Sequence, residues 1–192
     1  MKTAHRTREV KHVSIHIGEY HASKRPAVIG TLLGSCIAVC LIDPVESIGG
    51  MNHILLPGKA SIGCCDDVSR YAVNSMELLI NNIMRLGGKR NLLQAKVFGG
   101  ANVVPCISEE NGMGRKNAEF VLQFLELESI PVLSHDLGGV NARRIYFRTD
   151  TGEVFLRRIP SARQQAVRAG ELEMQERLRK EVDKAGEITL FT

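Results

Sequence analysis

Apolar and polar residues alternate from His12 to Tyr20: Val13, Ile15 and Ile17 point one way and Ser14 and His16 the other. That is the period of a half-buried strand. Lys24-Arg25-Pro26 makes a connector, and Ala27 to Leu33 is a second short apolar run, ended by Gly34. Ile37 to Ile42 reads as a third strand, and Asp43-Pro44-Val45-Glu46 as a turn. The return strand, Ile48 to Leu56, is interrupted by Gly49-Gly50, the mark of a bulge or of a close approach by another backbone. Further strands are expected over Leu93 to Phe98 and Ile130 to Ser134, and a hairpin over Arg143 to Arg148 and Glu153 to Ile159.

Two segments change period. From Asp66 or Asp67 to about Leu86, apolar residues fall at Tyr71-Ala72, Met76, Leu79-Ile80 and Ile83-Met84, with Gly87-Gly88 as a C-cap. Met113 to Glu128 repeats the pattern with Phe120-Val121 and Phe124-Leu125 inward. From Ser161 to Lys184 the chain is polar, with scattered apolar residues, and reads as an exposed helix broken near Gly170. The expected fold class is α/β, a layered sandwich of mixed, mostly antiparallel sheet with helices packed outside. Residues 1–10 are expected to be a flexible arm, 11–160 one domain, and 161–192 a polar helical extension.

Composition narrows the function. The hydrophobic fraction of 44% and charged fraction of 24% suit an ordinary globular domain. A net charge of +4, with no basic stripe, does not call for nucleic acid. No apolar run reaches membrane-spanning length and the N-terminus lacks an apolar signal core, so a soluble cytoplasmic protein is expected. The five cysteines, Cys36, Cys40, Cys64, Cys65 and Cys106, lack CxxC spacing and read as reduced thiols. His5, His12, His16 and His21 have no carboxylate or cysteine cluster to complete a metal site. Neither a metal nor a cofactor is expected.

The chemistry concentrates between Thr31 and His53. Counting outward from a turn at Asp43 to Glu46 pairs Ile42 with Ser47 and sets Cys36 opposite His53. Opposed residues stand about 5 Å apart at Cβ, within reach of a thiol and its base. Small residues at Gly34 and Ser35 leave backbone N–H groups free to hold an oxyanion. On spacing alone, Cys36 as a small core residue and His53 as a structural residue remain open. Cys40, on the same face but deeper, reads as packing.

The runs TLLGSCIAVCLIDP and GGMNHILLP resemble the chemoreceptor glutamine deamidase family, CheD, of bacterial chemotaxis. So do KVFGGANV at 96–103, the Gly-rich loop before Asn117-Ala118, HDLGGVNARRIYF at 135–147 and TGEVFLRRI at 151–159. The resemblance spans about residues 11–160. It implies an α/β sandwich and an amidohydrolase that converts glutamines of methyl-accepting chemotaxis receptors to glutamate through a cysteine thioester. It also implies Cys36 as nucleophile, His53 as base and Thr31 as the residue that orients His53. Receptor cytoplasmic helices are the implied substrate and a CheC-type phosphatase an implied partner. The sequence departs from the family in the basic run Gly112-Met113-Gly114-Arg115-Lys116 and in the segment 161–192, whose apolar end Ile188 to Phe191 suggests docking on a partner or a sheet edge. Two other readings stand beside the enzyme: a binding module that regulates a phosphatase or receptor, and a cysteine-based metal or redox sensor.

Overall fold

The computed structural model describes residues 10–56, 67–103, 112–160 and 165–185. Nine strands form two sheets among these residues. In the first, β1 (Lys11–Ser14) runs parallel to β3 (Ala27–Leu33), followed by β8 (Arg143–Arg148) and β9 (Val154–Arg158), both antiparallel to their neighbours. In the second, the order is β2 (Tyr20–Ser23), β5 (Ile48–Asn52), β4 (Ile37–Asp43), β6 (Gln94–Gly99) and β7 (Val132–Leu137). Its pairs are antiparallel except β6 with β7. The expected sandwich of mixed sheets with outer helices is what forms.

Strand β4 explains the layering. All seven of its residues are buried, so it has no solvent face. Ile37, Val39 and Leu41 pack against α1 (Asp67–Arg85) and α2 (Met113–Leu127), through Met76, Leu79 and Ile83 of α1 and Val121, Phe124 and Leu125 of α2. Cys36 just before β4, with Ala38, Cys40 and Ile42, faces the other way, toward Ile29, Leu33, Ile145 and Phe147 of the first sheet. The glycine pair in β5 answers to close approach and not to a bulge, since the ladder from Cys40–Met51 to Asp43–Ile48 is unbroken. A Cβ on Gly49 would lie 2.6 Å from the Thr149 carbonyl oxygen, and one on Gly50 2.7 Å from Leu79 Cδ1.

The expected first strand divides. β1 stops at Ser14, a turn through Gly18 (φ +83°) reverses the chain, and β2 joins the other sheet. The last helix, α3 (Gln165–Ala185), runs unbroken through Gly170, contrary to expectation: a single interior glycine costs a helix only about 1 kcal/mol relative to alanine, and the residues on both sides are helical. Nor is α3 wholly exposed: Glu171 and Leu178 are buried. The Ile188 to Phe191 tail, most of the N-terminal arm, and Cys64, Cys65 and Cys106 lie outside the described residues.

Candidate active site

The turn Gly34-Ser35-Cys36 links β3 to β4, and its carbonyls are held from behind. The Ala101 N–H donates to Gly34 O (2.7 Å), the Gly100 N–H to Cys36 O (2.8 Å), and Asn117 Nδ2 to Ser35 O (2.8 Å). With Gly34 O and Ser35 O anchored there, the N–H groups of the same peptide planes, those of Ser35 and Cys36, point to the opposite side, where they and the Gly34 N–H meet one carboxylate, that of Glu171. Gly34 and Cys36 N–H donate to Oε1 (3.1 and 3.3 Å), and Ser35 N–H and Oγ to Oε2 (3.2 and 2.9 Å). Successive backbone N–H groups turned onto one anion form a nest. Gly99 has to be glycine for this packing: its φ is +121° and a Cβ would lie 2.1 Å from Cys36 O.

Cys36 is fully buried, and its thiol donates to Glu171 Oε1 at 3.1 Å. Burial first, then the charge and hydrogen bond of Glu171, push the thiol pKa well above its ordinary value, so in this arrangement the sulfur keeps its proton.

His53 is 3% exposed, and its Nδ1 lies 2.8 Å from Thr31 Oγ1. The Thr31 hydroxyl donates to Ile15 O (2.8 Å), so it accepts from the ring. This network assigns the ring proton to Nδ1 and leaves Nε2 a bare acceptor. Nε2 is buried and has no hydrogen-bond partner among the described residues. Burial, aided by His16, lowers the His53 pKa to about 3, so the ring is neutral at pH 7.

The hairpin register differs from the one expected. Asp43 Oδ1 accepts from the N–H groups of Val45 and Glu46, which makes the turn start one residue later, and Asp43 itself pairs with Ile48. With the Ile37–Ile54 bridge, counting places His53 across from Ala38, not Cys36. A shift of two residues preserves the face, so Cys36 and His53 both look into the space between the sheets. They are diagonal neighbours, a relation that sets residues roughly 7–8 Å apart. The thiol is hydrogen-bonded to Glu171 and not to His53.

Thr31, Gly34, Ser35, Cys36 and His53 thus gather at one end of the sandwich, as the sequence suggests. Cys40 lies deeper among Met51, Phe98 and Phe147, and burial raises its thiol pKa. Sequence reasoning missed Glu171. Its signal was the spacing Val167, Glu171, Met174, Leu178, which puts one carboxylate on the apolar stripe of a polar helix. Asn117 was missed too: fully buried inside α2, it also accepts from Leu56 N–H (3.3 Å). Beside the site, a cavity of about 400 Å³ is lined by Thr31, His53, Arg144, Tyr146, Glu171 and Met174, among others. Among the described residues no group of three or more His, Cys, Asp or Glu could hold a metal, and no helix is long and apolar enough to cross a membrane.

The model of the family described as CheD chemotactic sensory transduction matches residues 55–158. A Shewanella oneidensis protein named probable chemoreceptor glutamine deamidase CheD 1 is 44% identical over 93% of this chain and 87% of its own length. The chain belongs to the CheD family. Proteins named probable chemoreceptor glutamine deamidase CheD from Stenotrophomonas maltophilia (47% identical over 84% of this chain and 79% of their own) and Hahella chejuensis (41% over 91% and 82%) are further CheD relatives. The CheD family model begins just past His53, but an alignment over 93% of the chain necessarily spans Thr31 to His53. A solved structure, the hypothetical protein YfiH of Bacillus licheniformis, overlaps 62% of this chain and 49% of its own with 16% identity and a TM-score of 0.38. The fold given above rests on this chain's own strand pairing.

Proposed function

We propose that this CheD-family chain is a protein-glutamine deamidase that converts glutamines on the cytoplasmic helices of chemoreceptors to glutamate through a Cys36 thioester. The observation that carries the reading is the nest of N–H groups at residues 34–36, filled by a side-chain carboxylate beside an oriented, neutral histidine. A glutamine amide has the shape of that carboxylate. With its oxygen on the Gly34 and Cys36 N–H groups, its Cδ lies beside the sulfur. The thiol turns to His53 Nε2 and gives up its proton, and the thiolate attacks Cδ. The nest holds the oxyanion. The C–N bond breaks and ammonia leaves with the proton from His53. Water, deprotonated by His53, then cleaves the thioester to give glutamate and restore the thiol. No step calls for a metal or cofactor. Arg144, exposed at the cavity rim, suits an acidic helix surface. A CheC-type phosphatase would meet the same face and compete with the receptor.

The test follows ammonia release and mass gain on a receptor cytoplasmic fragment. Cys36→Ala and His53→Ala are expected to lose both, and Cys40→Ala to keep both. A one-unit mass gain on receptor glutamine with Cys36→Ala would exclude the thioester route.

A further inference from the structure

The catalytic turn already holds a ligand, and the ligand is part of the chain. α3 lays one face along the end of the sandwich. Val167 packs on the cluster of Ala101, Val103 and Ala142, and Met174 and Leu178 pack on the inter-sheet core. Between these anchors Glu171, 8% exposed, places its carboxylate in the nest. The opposite face of α3, with Leu172, Glu173, Glu176 and Arg177, is exposed. The stripe reads i, i+4, i+7 and i+11, one side of a helix. Every N–H that would hold a reacting amide is bonded to Glu171, and so is the nucleophilic thiol. Gly34 has no room for a second occupant: a Cβ there would already lie 2.7 Å from Oε1.

We propose that α3 is a tethered product analogue: Glu171 occupies the place of the glutamate that deamidation leaves, and a substrate helix must displace α3 to be turned over. The proposal rests on the deamidase reading for its chemistry, though the closure itself does not. It also defines the groove. The accepted helix presents its amide from the Glu171 position, with apolar side chains three and seven residues further on, where Met174 and Leu178 now sit. The raised pKa of the Cys36 thiol agrees with a closed, resting state.

The geometry makes an unusual test available. In Glu171→Gln the helix becomes an intramolecular substrate. Cys36 Sγ bonds to Cδ of the introduced glutamine, the C–N bond breaks, ammonia departs, and water returns the thiol and leaves glutamate. The full-length variant is expected to gain one mass unit at position 171, and Glu171→Gln combined with Cys36→Ala to gain none. An introduced amide that stays intact while the same protein deamidates a receptor fragment would overturn the product assignment.

A second measurement is independent of deamidation. Iodoacetamide labelling of Cys36 in the native full-length chain, mapped by peptide mass, is expected to run about tenfold or more faster in Glu171→Ala than in wild type, as expected when a minor open state becomes dominant. Met174→Asp, which opens the same helix from another anchor, should do likewise, and Glu173→Ala on the exposed face should not. Receptor deamidation should rise in parallel. Equal labelling and equal turnover in wild type and Glu171→Ala would overturn the closure. Faster labelling without any turnover in any variant would leave α3 as the closing element and refute the deamidase reading instead.

Discussion

One side chain sets the tautomer of His53. Thr31 gives its own proton to Ile15 O and so can only accept from His53 Nδ1. Thr31→Val removes that acceptor and frees the ring to take the other tautomer. One hydrogen bond of this kind is worth about 1 kcal/mol, so kcat is expected to fall roughly fivefold with KM little changed. Thr31→Ser should recover most of it, and a raised KM with normal kcat would contradict this role. The neutrality of His53 has a cost in acid. Its folded pKa lies at about 3, while an exposed histidine protonates near pH 6.5. Between those values the unfolded chain binds a proton that the folded chain refuses, so stability falls as pH falls, by about 1 kcal/mol per pH unit. Urea unfolding at about pH 7.5 and about pH 5.5 should show a larger loss for wild type than for His53→Asn. Cys36, His53 and Thr31 stand out in the sequence as candidates, because they fall within runs that resemble the family's motifs. Glu171 does not, because a single acidic residue in a polar helix looks like any solvated one, and its burial depends on where α3 docks.

Elements were read well wherever period and punctuation agreed. β3 coincides with the apolar run Ala27 to Leu33, and α1 and α2 fall within a residue or two of the expected ends. The misses have local causes. Nothing in the alternation from His12 to Tyr20 betrays the reversal at Gly18, which sends β2 to the other sheet. The hairpin register slipped because Asp43 caps the turn from inside the strand, a side-chain choice that residue counting does not see. Parallel pairings such as β1 with β3 join segments with no local link between them. The GGAN loop after β6 was recognised as a motif, yet its purpose appears only in three dimensions. Gly99→Ala would drive a Cβ into the Cys36 carbonyl at a positive φ. A loss of about 2 kcal/mol or more is expected in urea or thermal unfolding, with ammonia release falling alongside. A stability within about 0.5 kcal/mol of wild type would show that the loop does not bear on the turn in this way.

At the scale of the molecule, the layering turns on one fully buried strand. β4 commits its odd residues to the helices and its even residues to the opposing sheet. That division was readable as a continuous apolar run, but the order of the strands around β4 was not, since it is fixed by long-range contacts. The same kind of long-range contact shapes the turn at residues 34–36. The direction of the N–H groups at Ser35 and Cys36 is set by Ala101 and Asn117, which hold the Gly34 and Ser35 carbonyls of the same peptides from far along the chain and on different elements. The turn is therefore not portable. Grafted onto another scaffold, the peptide from Thr31 to His53 would carry its sulfur and its imidazole, but the aim of its amides would stay behind with their distant partners.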